Sequence, residues 1–213
     1  MHSRSQKLSM PRNAFVVFTI ALVAGCASIP DTTRYNPPPQ GSTWTNAIRT
    51  TGSFGNDSRQ ATTTMGTEVW QGQKRLAFRG SPATVIADDR GCWITWLNGT
   101  TPVFTWDPPI CANRPFVVGD VHSKKIRVTV HQTKQTVDME GRWKIEAYEE
   151  VRVPAGTFHA FKISYSDNVG NERIDWGVPE LGIFVKSSIR RTAAHRQGAG
   201  TQESELVSHT IKR

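Results

Sequence analysis

Residues 142–153 read RWKIEAYEEVRV, and this stretch decides the fold class. Its odd-numbered positions are mostly apolar and its even-numbered positions are mostly charged. A period of two predicts a β-strand with one buried face and one wet face, because successive side chains of a strand point to opposite sides. Residues 125–131 and 159–165 show the same alternation.

Short turn motifs separate these runs, and Asn98-Gly99 is the clearest of them because both residues tolerate positive φ. No segment after residue 30 shows a helical period over a long window, although a short helix near residues 110–120 is a candidate. The predicted strands lie near residues 43–54, 59–70, 74–79, 83–88, 92–97, 102–106, 125–137, 142–153, 157–166, 171–176, 182–191 and 203–211.

So many antiparallel strands must curl or close, since an open meander would leave long edges exposed. The sequence therefore predicts one all-β domain over residues 42–213. We expect a single antiparallel curled sheet of roughly 10–12 strands, either an open half-barrel or a closed barrel.

Composition supports a folded domain in a chain of 213 residues. Hydrophobic residues make up 37% and include seven Trp, which is enough to fill a core and excludes wholesale disorder. The formal charge is +8, but Lys and Arg are spread along the predicted strands. Because no nucleic-acid-binding motif accompanies them, we expect no nucleic-acid partner.

The first residues have the pattern of an export signal. A basic region precedes an uncharged run over residues 14–24, which is too short for a membrane-spanning helix of about 20 residues. The run ends in Leu22-Val23-Ala24-Gly25-Cys26, which resembles the lipobox of bacterial lipoprotein precursors. An ordinary secretory signal with an accidental Cys is the alternative.

The lipobox resemblance implies a signal peptide over residues 1–25 and lipid attachment at Cys26. A diacylglyceryl group would join the Cys26 sulfur, and an N-acyl chain would join the new amino terminus after cleavage. Two or three acyl chains anchor a protein durably, whereas one gives only marginal binding. Apart from these covalent groups, no cofactor is expected.

Residues 26–41 include Pro30 and the run 37–39, and they predict a flexible Pro-rich tether behind the lipidated Cys. Ala27 and Ser28 follow Cys26, without the Asp that favours inner-membrane retention in enteric-type lipoproteins. By that resemblance we expect an anchor in the cell outer membrane, with the domain facing the periplasm. The inner membrane is the alternative.

The remaining cysteines, Cys92 and Cys111, form a disulfide candidate, because an oxidising periplasm permits the bond. Two buried free thiols are the alternative. No metal site is expected, since no close His partners accompany these thiols.

Residues 149–186 read EEVRVPAGTFHAFKISYSDNVGNERIDWGVPELGIFVK. The VPAGTF strand end and the following W-x-x-P-x-x-G motif resemble a pattern in uncharacterised bacterial periplasmic β proteins. Those proteins look similar in shape to the half-barrel carriers of lipoprotein transport, in which a sheet wraps an apolar cavity. The resemblance implies structural turn roles for Pro154, Gly156, Pro179 and Gly182.

The sequence offers no catalytic constellation. Its histidines lie far apart without metal-ligand spacing, and no nucleophile elbow, P-loop or dinucleotide-binding glycine motif occurs. We therefore expect no catalytic residues and no enzyme activity.

Aromatic residues are the better indication of function. If several face the concave side of the sheet, they could line an apolar pocket, although simple core packing is the alternative. The candidates are Trp93, Trp96, Trp106, Trp143 and Trp176. We therefore expect a non-catalytic, membrane-anchored periplasmic lipoprotein that binds an apolar ligand or acyl chain. A structural or interaction lipoprotein of the cell envelope, with a protein or cell-wall partner, is the alternative.

Overall fold

The computed structural model of the protein describes residues 33–111 and 115–213, and all regular elements within them are β-strands. No helix in these two ranges is long and apolar enough to cross a membrane. In chain order the strands are β1 (Thr33–Arg34), β2 (Thr43–Gly52), β3 (Asp57–Trp70), β4 (Gln73–Arg79), β5 (Ala83–Ala87), β6 (Trp93–Asn98), β7 (Thr101–Ile110), β8 (Pro115–Phe116), β9 (Val121–Val130), β10 (Gln135–Val153), β11 (Gly156–Asp167), β12 (Asn171–Val178), β13 (Ile183–Arg191) and β14 (Gly200–Thr210).

Twelve of these strands form one closed antiparallel barrel in the order β10-β11-β12-β13-β14-β2-β3-β4-β5-β6-β7-β9. The ring closes because β9 pairs with β10 and because β14, the last strand in the sequence, pairs with β2, the first strand of the barrel. The predicted all-β antiparallel class is confirmed, and the sheet closes fully instead of stopping at a half-barrel. Closure gives every barrel strand two neighbours, so no long edge is exposed.

Two local predictions differ from the structure. The predicted strand 125–137 is two strands, because the chain turns at residues 131–134, where Lys134 has a φ of 54°. The candidate helix near 110–120 is replaced, in its described part, by the end of β7, the short β8 and a turn. That turn returns to β10, since the Gly119 amide donates to the Ile145 carbonyl at 2.8 Å.

A β-bulge interrupts the alternation that predicted β10. The register with β11 shifts between Ile145 and Ala147, so Glu146 has no partner in the ladder. After the shift Tyr148 stands opposite Phe161 and packs against its ring with centroids 4.7 Å apart. The bulge thus places Tyr148 in the same buried cluster as Ile145, although the two positions differ in parity.

The hairpins alternate between two ends of the barrel because the strands are antiparallel neighbours. We call the end at which β2 begins the near end and the opposite one the far end. Connections at the near end cover residues 71–72, 88–92, 117–120, 154–155 and 179–182. Connections at the far end cover residues 53–56, 80–82, 99–100, 131–134, 168–170 and 192–199.

Residues 33–41 cross the near end and pack against it. β1 pairs with β8, and the glycines at 91 and 182 leave room for this segment. A Cβ on Gly182 would lie 2.1 Å from the Asn36 carbonyl oxygen, and one on Gly91 would lie 2.7 Å from the Pro37 ring. The predicted flexible tether is therefore packed chain from residue 33 onward, because its aromatic residue finds a buried place. Cys26, the signal peptide and the first part of the tether lie outside the described residues.

Candidate ligand-binding interior

The barrel interior holds a cavity of about 270 Å³ between two aromatic walls, one on β6 and β7 and the other on β10 and β11, which only β9 separates in the ring. Trp93 of β6 and Trp106 of β7 form one wall, with ring centroids 6.3 Å apart. Trp143 of β10 and Tyr165 of β11 form the other, with centroids 4.8 Å apart. Period-two alternation directs these rings inward from adjacent strands.

A larger cavity of about 540 Å³ lies on the side of β2–β5 and includes Trp44, Phe78 and Trp96 in its lining. The two cavities share one boundary. Five side chains line both of them: Tyr35, Trp93, Arg173, Phe184 and Ile189. The interior is therefore hollow on both sides of a narrow constriction.

Tyr35 forms part of that constriction, although it belongs to the segment that crosses the near end. Its side chain is buried, and its ring stacks on Phe184 with centroids 6.3 Å apart. Burial raises the pKa of the Tyr35 phenol well above its usual range, so the group stays neutral. The N-terminal segment thus closes the near end of the barrel with the buried ring of Tyr35.

A charged pair is also part of the constriction. The Arg173 Nε donates to Asp175 Oδ1 at 2.7 Å, and the Ser187 hydroxyl donates to the same oxygen at 2.5 Å. The guanidinium carbon lies 5.9 Å from the Trp93 ring centre and 5.7 Å from that of Phe184, within cation–π range. Because Asp175 is buried and paired, Arg173 brings no net charge to the interior.

A second polar group lies at the far-end side of the smaller cavity. The Tyr165 hydroxyl donates to Asp167 Oδ2 at 2.8 Å. Asp167 also accepts from the amides of Val169 and Asn171, at 3.1 and 2.8 Å, which fixes the β11–β12 turn. Burial, followed by the neighbouring Asp167 charge, raises the pKa of the Tyr165 phenol. These polar groups satisfy one another and order the wall.

Two glycines make space for the aromatic lining. A Cβ on Gly141 would lie 2.5 Å from the Trp143 ring and 2.8 Å from the Tyr165 ring. A Cβ on Gly177 would lie 3.2 Å from the Phe184 ring. The sequence reasoning missed both positions. A glycine inside an alternating strand, which marks a close approach, is the signal that could have found them.

The structure brings most of the predicted pocket residues together. Trp93, Trp106 and Trp143 line the smaller cavity, and Trp96 lines the larger one. Trp176 lines neither cavity.

Trp176 has polar partners instead. Its indole N–H donates to Glu149 Oε1 at 2.7 Å, and the Lys162 and Lys186 ammonium groups lie 5.6 and 5.7 Å from its ring centre. The bulge at residue 146 brings Glu149 to the face that Trp176 occupies, and strand parity alone could not show this.

The predicted pair Cys92 and Cys111 is joined by a disulfide at the near end. It ties the start of β6 to the chain just after β7, and the adjoining Gly91 and Ile110 line the smaller cavity. Cys92 is fully buried. The bond thus fixes the wall that carries Trp93 and Trp106.

The turn residues lie where the VPAGTF and W-x-x-P-x-x-G motifs place them. Pro154 lies in the β10–β11 turn and Gly156 begins β11 with a φ of 134°. Pro179 and Gly182 form the β12–β13 turn, in which the Gly182 amide donates to the Pro179 carbonyl at 3.1 Å. This second turn supports the N-terminal segment. Within residues 33–111 and 115–213, no group of three or more His, Cys, Asp or Glu side chains could hold a metal ion.

No family profile matches the chain, and no curated protein matches it in sequence. The chain is similar to three solved structures. A protein of Bacteroides fragilis, described as a candidate exported protein with a YmcC-like fold, has 13% identity and a TM-score of 0.46, covering 84% of this chain and 99% of its own.

A candidate lipoprotein of Parabacteroides distasonis has 10% identity and a TM-score of 0.41, covering 85% of this chain and 100% of its own. The hypothetical lipoprotein YmcC of Escherichia coli has 9% identity and a TM-score of 0.42, covering 82% and 87%. At these values no function passes from those proteins to this chain.

Proposed function

We propose that the protein is an exported, lipid-anchored protein of the bacterial envelope whose barrel interior binds an apolar ligand such as an acyl chain. The observation that carries the binding part is a hollow interior whose lining is mainly apolar and includes several aromatic rings. Its two cavities, of about 270 and 540 Å³, are of the size that small-molecule sites occupy. A barrel that needed only a packed core would fill this space, since protein interiors are close-packed.

Ligand access is proposed at the far end. Residues 33–41 cover the near end, and Tyr35 closes the interior there. The lining of the larger cavity includes Gly80, Ser81 and Pro82, which form a far-end connection. An elongated ligand would therefore enter from the far end and point toward Tyr35.

The proposal is for a binding protein and not for an enzyme. Two charged or ionisable groups that line the smaller cavity are engaged with carboxylates, Arg173 with Asp175 and Tyr165 with Asp167. Such pairs orient a wall but leave no free nucleophile with an adjacent base, which acyl-transfer chemistry requires.

The export and anchoring part rests on the lipobox at residues 22–26. The Cys92–Cys111 disulfide supports it, because such bonds persist in oxidising compartments and are rare in the cytosol. We propose attachment through acyl chains on Cys26 in the outer membrane, with the domain in the periplasm. A Cys26→Ser chain should leave the membrane fraction, and mass analysis of the wild-type N-terminal peptide should show the acyl groups.

The binding part is tested by native mass spectrometry of protein extracted in mild detergent, followed by identification of copurifying lipid. Ile189→Trp fills the constriction and should abolish the copurified species and the binding of a fluorescent apolar probe. Ser188→Trp is the matched control, because Ser188 directly precedes Ile189 on β13 and its hydroxyl donates to Glu203 on the other face. Equal probe binding by both variants would refute the interior as the site.

A further inference from the structure

The four exposed large apolar side chains of the described residues all lie at the near end of the barrel. They are Val69, Val117, Val118 and Val121, with 74%, 51%, 36% and 43% of their surface exposed. Val69 is the penultimate residue of β3, next to the β3–β4 turn, and the other three flank or form the connection from β8 to β9. Scattered exposed valines are ordinary, but confinement to one end requires a cause.

The four valines lie on nearly opposite sides of the barrel rim. In the ring of twelve strands β3 is five places from β9, so Val69 is almost diametrically opposite Val121. A single flat apolar surface could contact both groups only if it covered the whole near end. A small partner on one side of the rim would not account for both.

The chain toward Cys26 leaves from this same end. Thr33 pairs with Phe116, the residue directly before Val117 and Val118. Seven Cα–Cα steps lead from Cys26 to Thr33, and they span at most about 25 Å when the chain is fully extended. An anchor at Cys26 therefore holds the near end close to the bilayer.

Charge at the near end favours an apolar contact. Its connections and termini carry both signs, with cations at Arg34, Lys74 and Arg90 and carboxylates at Asp89 and Asp120. A polybasic patch would attract anionic lipid, but this mixture supplies no such field. The contact should therefore form on a zwitterionic bilayer and tolerate salt.

We propose that the barrel stands upright on its membrane, with Val69, Val117, Val118 and Val121 in contact with the bilayer surface and the far end facing away from it. This rests on the proposed anchor at Cys26. It means that the interior is loaded from the periplasmic space and not from the membrane that holds the protein.

The test uses the full lipidated protein in phosphatidylcholine vesicles, with a nitroxide on Val118→Cys or Val69→Cys and on Thr100→Cys as control. Thr100 is exposed in a far-end turn. Cys26 would be blocked by its lipid and the other cysteines by their disulfide, so labelling is selective. Power-saturation EPR then compares collisions with oxygen and with a water-soluble nickel complex.

The expected result is a several-fold fall in nickel collisions at residues 118 and 69 relative to residue 100, unchanged by added anionic lipid or salt. Equal nickel access at all three sites, in a chain whose N-terminal peptide carries its acyl groups, would overturn the orientation while leaving the anchor intact. Shielding at 118 without shielding at 69 would overturn the upright arrangement. A peptide without acyl groups would overturn the anchor itself and the orientation with it.

Discussion

Replacing Tyr35 by Ala removes the side chain that closes the interior at the near end. The ring is buried against Phe184 and belongs to the cluster of Phe116, Ile145 and Phe161. An aromatic side chain removes at least about 150 Å² from water, and about 25 cal/mol per Å² gives about 4 kcal/mol. Because part of the ring already borders a cavity, we expect a loss of about 3 to 4 kcal/mol in the free energy of unfolding.

Urea unfolding, with the disulfide intact, measures this loss. In a domain of this size it corresponds to a fall of roughly 10 °C in the melting temperature. Tyr35→Phe is the matched control, since it keeps the ring contacts and should cost at most about 1 kcal/mol. The Ala variant should also bind more apolar probe, because the two cavities then merge. An unchanged unfolding midpoint in Tyr35→Ala would refute the packing of residues 33–41 on the barrel.

Three further predictions concern the walls of the interior. Gly141→Ala should lose about 1 to 3 kcal/mol of stability and weaken probe binding, because its Cβ would collide with Trp143 and Tyr165; Arg142→Ala, the exposed neighbour, should do neither. The double change Cys92→Ala with Cys111→Ala should lower stability by about 3 kcal/mol in urea unfolding, because the unfolded chain regains the entropy that a bridge between cysteines 19 residues apart removes. Burial raises the pKa of the Tyr35 and Tyr165 phenols well above the usual range, so these two should contribute little tyrosinate absorbance at pH about 11 until the chain unfolds. Since both folded pKa values lie above the unfolded value, their contribution to stability is complete below pH about 10 and is lost as pH rises further. Ionisation of Tyr35 and Tyr165 at pH about 10 in the folded protein would contradict their interior placement.

Strand content could be predicted because both faces of this sheet follow simple alternation. β11 illustrates the point, since Phe161, Ile163 and Tyr165 form one apolar face in the sequence and one inner face in the structure. Whether the sheet closes could not be predicted, because the sequence was compatible with both an open half-barrel and a closed barrel. The β14–β2 pairing that completes the ring joins residues about as far apart as the domain permits, and no local pattern specifies it.

The candidate site was only partly predictable. Four of the five predicted tryptophans line the interior, because they lie on strands with clear parity. Trp176 was misplaced because a bulge in a neighbouring strand determines its partners. Tyr35 was missed because a Pro-rich segment favours extended chain in a free linker and in a packed one alike. Its burial depends on glycines at 91 and 182, far along the chain.

The pairing of β2 with β14 has a consequence for biogenesis. Thr51 and Thr201, whose hydroxyls lie 2.8 Å apart, are separated by 150 residues of chain. One edge of β2 therefore keeps its backbone hydrogen-bonding groups unpaired until β14, the last strand, is available. Contacts between residues so distant in sequence form slowly. Under the proposed export, the N-terminal half would cross the membrane first and would remain unfolded, with apolar side chains exposed, until the C-terminal half has crossed. We expect its maturation to depend on a holding chaperone during that interval, and the acylating enzymes to act on a polypeptide that has not yet folded.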